Sequence, residues 1–130
     1  MNKINIALLG LGDIGQDFAE NFLEIIQEKG KPVEIIAVAH DDMTSPVVMG
    51  FQSSGITVYE NALQVLELGE KVDIIFDLTG NNKVRTSLRQ GLQADGNRHT
   101  VIAPEVVAKL LWMFFDSEEQ QLELLQAAGY

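Results

Sequence analysis

The feature that most limits what this chain can fold into is an apolar run that ends in spaced glycines. Ile4-Asn5-Ile6-Ala7-Leu8-Leu9 leads directly into Gly10-Leu11-Gly12-Asp13-Ile14-Gly15. A helical pattern starts at once, with Ile14, Phe18, Phe22, Ile25 and Ile26 forming one stripe and Lys29-Gly30 with Pro32 as its stop signal. Strand, G-x-G-x-x-G and helix in that order make a corner able to hold a diphosphate on bare main chain. Gly10 permits the tight turn, Gly12 lets the backbone approach the phosphates, and Gly15 lets the helix pack closely on the strand. The helix also turns its first N–H groups and the positive end of its dipole toward that corner. Asp13 stands at the N-cap position, just before Ile14. Its carboxylate would repel a diphosphate unless it turned back to cap the helix.

The rest of the chain alternates in the same way. Val33-Glu34-Ile35-Ile36-Ala37-Val38-Ala39 reads as a second strand, closed by His40-Asp41-Asp42. A short helical turn after Pro46 and a third strand over 56–59 follow. Asn61 is placed to cap a helix bearing Leu63, Val65, Leu66 and Leu68, with Gly69 closing it. A fourth strand, Val72 to Leu78, runs into Thr79-Gly80-Asn81-Asn82, and Val84, Leu88 and Leu92 share one face of the next helix. Thr100 to Ala103 is the expected fifth strand, with Pro104 in the first turn of a helix reaching about residue 115. Ser117-Glu118-Glu119-Gln120 has the form of a capping box and predicts a last short helix.

Strands that are apolar throughout, rather than alternating, imply a parallel sheet covered on both faces. Right-handed crossovers and the glycine corner on the first strand then predict a doubly wound α/β fold, strand order 3-2-1-4-5. Residues 1–116 are expected to form this Rossmann-like domain, and residues 117–130 a C-terminal helix packed on it or on a partner.

Whole-chain numbers narrow the function classes. A length of 130 residues supports one core, without room for a second domain of similar size. Nine basic against nineteen acidic residues give a net charge of −10, which argues against nucleic acid and anionic membranes as partners. The absence of cysteine excludes disulfides, thiolate metal sites and cysteine nucleophiles. No metal site and no catalytic residue is assigned. The N-terminal apolar run lacks the form of a signal peptide, and a cytoplasmic protein is expected.

In the predicted fold the crevice lies at the C-terminal strand ends between strands one and four, where the order reverses. It gathers Gly10, Gly12, Asp13, Ile14 and Gly15 with His40, Asp41, Thr79, Gly80 and Asn81, and its expected ligand is a dinucleotide. Asp41 is the candidate for the adenine-side ribose; a solvated turn acid is the competing reading. His40 would stack there or sit exposed. No Lys or Arg lies between Lys31 and Lys71, so a 2′-phosphate would lack a cation and NAD is expected over NADP. Gly80 permits close approach and Asn81 offers an amide near the ribose, although Thr79-Gly80-Asn81 is equally good turn chemistry. Arg85, Arg89 and His99 read as surface residues.

The glycine motif, Ile35 to Asp41 and Asp77-Leu78-Thr79-Gly80-Asn81 together resemble the N-terminal domain of Gfo/Idh/MocA-type oxidoreductases. They are equally similar to the cofactor domains of homoserine dehydrogenase and dihydrodipicolinate reductase. The resemblance covers most of residues 1 to about 104, and implies cofactor contacts at Gly10, Gly12, Gly15, Asp41 and Asn81. Two positions depart from those families: His40 stands where an acid is usual, and Pro104-Glu105 where a lysine commonly follows strand five. Lys109 lies a turn further along. The expectation is therefore an NAD(P)-binding Rossmann module without its own substrate domain, serving as a nucleotide-sensing or regulatory domain or as the cofactor half of a larger assembly. The alternatives are a small oxidoreductase with a substrate site between protomers and a Rossmann-shaped scaffold that binds no nucleotide. Leu110-Leu111-Trp112-Met113-Phe114-Phe115 is apolar all round, which points to a homodimer or another domain as partner; the competing reading is that the last helix covers the remainder within the monomer.

Overall fold

An apolar strand with no polar face has to be covered on both sides, and β1 (Ile4–Leu9) is buried from Ile6 to Leu9. The computed structural model, which describes residues 3–11 and 13–115 (without the side chains of 13–16 and 115), places β1 at the centre of a parallel sheet. β2 (Val33–Ala39) and β3 (Thr57–Tyr59) lie to one side of it, β4 (Ile74–Asp77) and β5 (Val101–Pro104) to the other. The order is β3-β2-β1-β4-β5, as the sequence predicts. Ile6 pairs with Ile35 but Ala7 with Ala37, so Ile36 is an extra residue that bulges β2.

Alternate strand residues divide between two cores. Ile6, Leu8, Ile35, Val38 and Phe76 face α1 (Asp13–Lys29), α2 (Pro46–Ser53) and α4 (Glu105–Phe115). Phe18 centres this layer, with ring centroids 5.3 Å from Phe22, 5.6 Å from Phe76 and 6.4 Å from Trp112. Ala7, Leu9, Ala37, Ala39 and Ile75 face the other way, toward Val65 and Leu88. Those two come from a 3-10 segment (Ala62–Lys71) and from α3 (Asn82–Ala94).

Some expectations are corrected. α1 begins at Asp13, one position early. The helix after Asn61 is 3-10 rather than α, with a break at Gly69 (φ 58°, ψ −138°). Val65 is buried in the core, and Ala62, Leu63, Leu66 and Leu68 pack against it, so this short segment turns most of its apolar residues inward. Pro104 ends β5 opposite Asp77 instead of opening α4. β5 is an edge strand, where a missing N–H is tolerated. His99 is half exposed yet partnered: its Nε2 meets Asp73 Oδ1. Asp73 also accepts the Asn5 backbone N–H at 2.7 Å, and that bond chiefly, with His99 second, holds its carboxyl below the ordinary value. The predicted helix over 117–130 lies outside the described residues, and no described helix is long and apolar enough to cross a membrane.

Candidate functional site

β1 ends where the chain must turn sharply toward α1, and Gly10 makes that turn with φ 86°. A Cβ here would lie 2.9 Å from both Thr79 Cα and Thr79 N and 3.1 Å from the Leu78 carbonyl carbon. The first glycine is therefore required twice over, by its dihedral and by the main chain of the β4–α3 turn pressed against it. Its N–H donates to Ala39 O at 2.9 Å, and Leu78 N–H donates to Leu9 O at 2.8 Å, so the ends of β2, β1 and β4 are locked level. Gly12 lies outside the described residues, as do the side chains of Asp13, Ile14 and Gly15.

Beside this corner opens a cleft of about 970 Å³. Its lining includes Gly10, His40, Asp41, Glu60, Thr79 and Asn81. The size falls within the range of roughly 300–1,000 Å³ typical of small-molecule sites. The structure thus brings together residues that are distant in sequence, at the sheet edge where the strand order reverses. Gly80 borders the same turn rather than the cleft wall. Glu60 was not singled out from the sequence, since nothing local in 60–64 distinguishes a cleft wall from a helix start. Asn61 and Gln64, also in the wall, form a reciprocal capping box.

The two acids after β2 differ. Asp41 projects into solvent with its side chain 95% exposed, 3.6 Å from His40 Nδ1. Asp42 is tied into its own loop: the Thr44 hydroxyl donates to it at 2.6 Å and the Thr44 N–H at 3.0 Å. Those bonds, the hydroxyl's first, hold the Asp42 carboxyl below its ordinary value. Of the two, Asp41 is the one that lines the cleft. The His40 ring is largely buried at the cleft edge, and its backbone N–H donates to Tyr59 O at 2.9 Å.

The floor of the turn after β4 is a network that sequence reading missed. Asp77 is fully buried, at 0% exposure, and is the one buried charged residue among those described. Arg85, expected to be solvated, instead donates from Nε to Asp77 Oδ2 at 3.1 Å. The Thr79 hydroxyl and N–H donate to Asp77 Oδ1 at 2.6 and 3.1 Å. Asn81 N–H in turn donates to the Thr79 hydroxyl at 3.2 Å. Asn81 Oδ1 caps α3 by accepting from Lys83 N–H and Val84 N–H. The Thr79 hydroxyl and Asn81 Oδ1 are thus committed to the turn, which leaves backbone and the Asn81 Nδ2 group to offer a ligand. The signal available in sequence was the charge itself, an Asp closing the apolar strand Ile74-Ile75-Phe76.

Known proteins share this fold. No protein-family model matches the chain, and a comparison with curated proteins found no match. Among solved structures it is similar to S. aureus homoserine dehydrogenase, at 25% identity and a TM-score of 0.54, over 93% of this chain and 32% of that one. Thiobacillus denitrificans homoserine dehydrogenase superposes over 78% of this chain and 23% of its own, at 23% identity and a TM-score of 0.50. GenD2 from gentamicin A biosynthesis, solved in complex with NAD, does so over 80% of this chain and 34% of its own, at 18% identity and a TM-score of 0.52. The chain spans about a third of the length of the S. aureus enzyme. The resemblance to homoserine dehydrogenase stated from short motifs is borne out, and the architecture is a Rossmann-like α/β domain of the kind found in these oxidoreductases.

Proposed function

We propose that this domain binds a nicotinamide dinucleotide across the C-terminal edge of its sheet, as the nucleotide-binding part of a larger assembly or as a nucleotide-sensing domain. One observation carries the reading: the glycine corner, the end of β2 and the β4–α3 turn border one cleft where the strand order reverses. The residues present fit such a ligand. Gly10, Gly12 and Gly15 would bring bare backbone and the α1 N-terminus to the diphosphate, with Ile14 covering it and Asp13 turned onto the helix. Asp41 would accept the adenine-side ribose hydroxyls, with His40 beside the adenosine. Thr79, Gly80 and Asn81 would lie under the second ribose, Asn81 donating through Nδ2. The described cleft lining holds Asp41 and Glu60 but no Lys or Arg, which favours NAD over the extra phosphate of NADP.

Isothermal titration of the protein with NAD and NADP tests the reading. NAD is expected to bind, and NADP at least about tenfold more weakly, the effect of one uncompensated charge at close range. Gly12→Ala should abolish NAD binding with the fold intact, as judged by circular dichroism. Undiminished binding by that variant would remove the diphosphate corner from the proposal.

The same reading assigns a partner to α4. Its inner residues Val107, Ala108, Leu111 and Trp112 pack on the core, while Val106, Leu110, Met113 and Phe114 are exposed, Phe114 to 76%. A second copy of the chain or another domain of the assembly would cover that stripe. Light scattering after size exclusion should find a dimer for the chain alone, and Leu110→Glu should convert it to monomer. A wild-type monomer at high concentration would leave the second copy out.

A further inference from the structure

The β4–α3 turn that forms one wall of the cleft has a carboxylate on its far side, toward β5, outside the cleft lining itself. A dinucleotide whose adenosine half lies toward β2 must carry its nicotinamide half past β4 toward β5, because the diphosphate is fixed at the corner between them. There β5 runs into α4 at Pro104, which lies opposite Asp77, and Glu105 is the first residue of α4. The Glu105 carboxylate reaches back over the β4–α3 turn, and a Cβ placed on Gly80 would lie 3.3 Å from its Oε1. The Asp77 charge beneath that turn is matched by Arg85. Glu105 has no such match: among the described residues no cation forms an ion pair with it, Lys109 one turn along included. The α4 N-terminus, where Glu105 sits, supports a carboxylate. Asp41 and Glu60 carry the same sign, but in the proposed pose they would face the adenosine half, which does not change with redox state.

The oxidised nicotinamide ring carries a positive charge that the reduced ring lacks. We propose that Glu105 makes this site discriminate the two redox forms, holding the cationic oxidised ring and disfavouring the neutral reduced one. The domain would then report the oxidised dinucleotide. This rests on the dinucleotide reading above, and it fits a sensing role better than delivery of hydride from a reduced cofactor.

The test is a titration of the full chain and of Glu105→Gln with NAD+, NADH and ADP-ribose, which has the diphosphate and adenosine but no nicotinamide. The wild type is expected to prefer NAD+ over NADH by about fivefold, as for opposite charges a few ångströms apart at a partly solvated site. Glu105→Gln should bring that ratio close to one while ADP-ribose binds both proteins alike. Raising ionic strength from about 0.01 to about 1 M, which shortens the screening length from ~30 to ~3 Å, should also shrink the wild-type ratio. Equal binding of NAD+ and NADH by the wild type, or an unchanged preference in Glu105→Gln, overturns the assignment to Glu105 and leaves the dinucleotide site standing. Failure of the wild type to bind ADP-ribose overturns the site itself, and this inference with it.

Discussion

Gly10→Ala is expected to destabilise the fold by about 3 kcal/mol or more, whether or not a nucleotide is present. Two penalties add. The residue sits at φ 86°, and the new methyl would lie 2.9 Å from Thr79 main-chain atoms that hydrogen bonds hold in place. Neither neighbour is the end of a flexible side chain, so relief requires β1 and β4 to separate at their ends. Gly96 offers a control, with φ 68° and nothing within 4 Å of where a methyl would stand. Gly96→Ala should show the dihedral penalty alone, about 1 kcal/mol. Urea denaturation of both variants measures the difference. A Gly10→Ala protein within about 1 kcal/mol of wild type, roughly the error on such changes, would mean that the corner is looser than described. The consequence for function is direct: the first glycine of the motif answers to the fold, so Gly12→Ala is the informative variant for ligand binding.

Arg85→Met should have the next largest effect. It leaves the Asp77 carboxylate fully buried with only the Thr79 donors for company. Removing one partner of a buried pair costs about 3–5 kcal/mol when both are fully enclosed. Arg85 is partly open to water, and the Thr79 bonds remain, so about 2–3 kcal/mol is expected here. The double variant Asp77→Asn with Arg85→Met should recover a substantial part, because an amide keeps an acceptor for Thr79 without an unmatched charge. Additive losses in the double-mutant cycle would show that the pair does not interact. Dinucleotide affinity should fall with Arg85→Met as well, since Thr79 and Asn81 hang on Asp77 through successive hydrogen bonds.

The periodic parts of the structure were readable from the residues alone. Continuous apolar runs at Ile6 to Leu9 and Ile35 to Ala39 announce strands buried on two faces, and the glycines after Leu9 fix which end of the sheet faces the site. The stripe through Phe18 and Phe22 announces the helix that covers it. What escaped sequence reading depends on distance rather than period. Arg85 lies eight positions from Asp77 and looks like any charged residue on a helix surface. Only the docking of α3 turns its guanidinium toward a carboxylate buried from solvent. Asp41 and Asp42 are adjacent and alike in sequence, and the loop's hydrogen bonds to Asp42 alone separate them.

α4 and the 3-10 segment differ in what their residues announce. Six consecutive apolar residues in Leu110 to Phe115 state that more than one face needs cover, and of the side chains described there the structure turns Leu111 and Trp112 inward. The leucines and valine after Asn61 state a helix, and packing against small residues at Ala7, Ala37 and Ala39 accompanies a tighter one, broken at Gly69. The sequence by itself determined the elements, their order in the sheet and the glycine corner, because those follow from local periodicity, backbone sterics and the handedness of crossovers. The tertiary structure alone decided the Asp77–Arg85 floor and the reach of Glu105 over Gly80, because each is a contact between elements whose spacing no local pattern encodes.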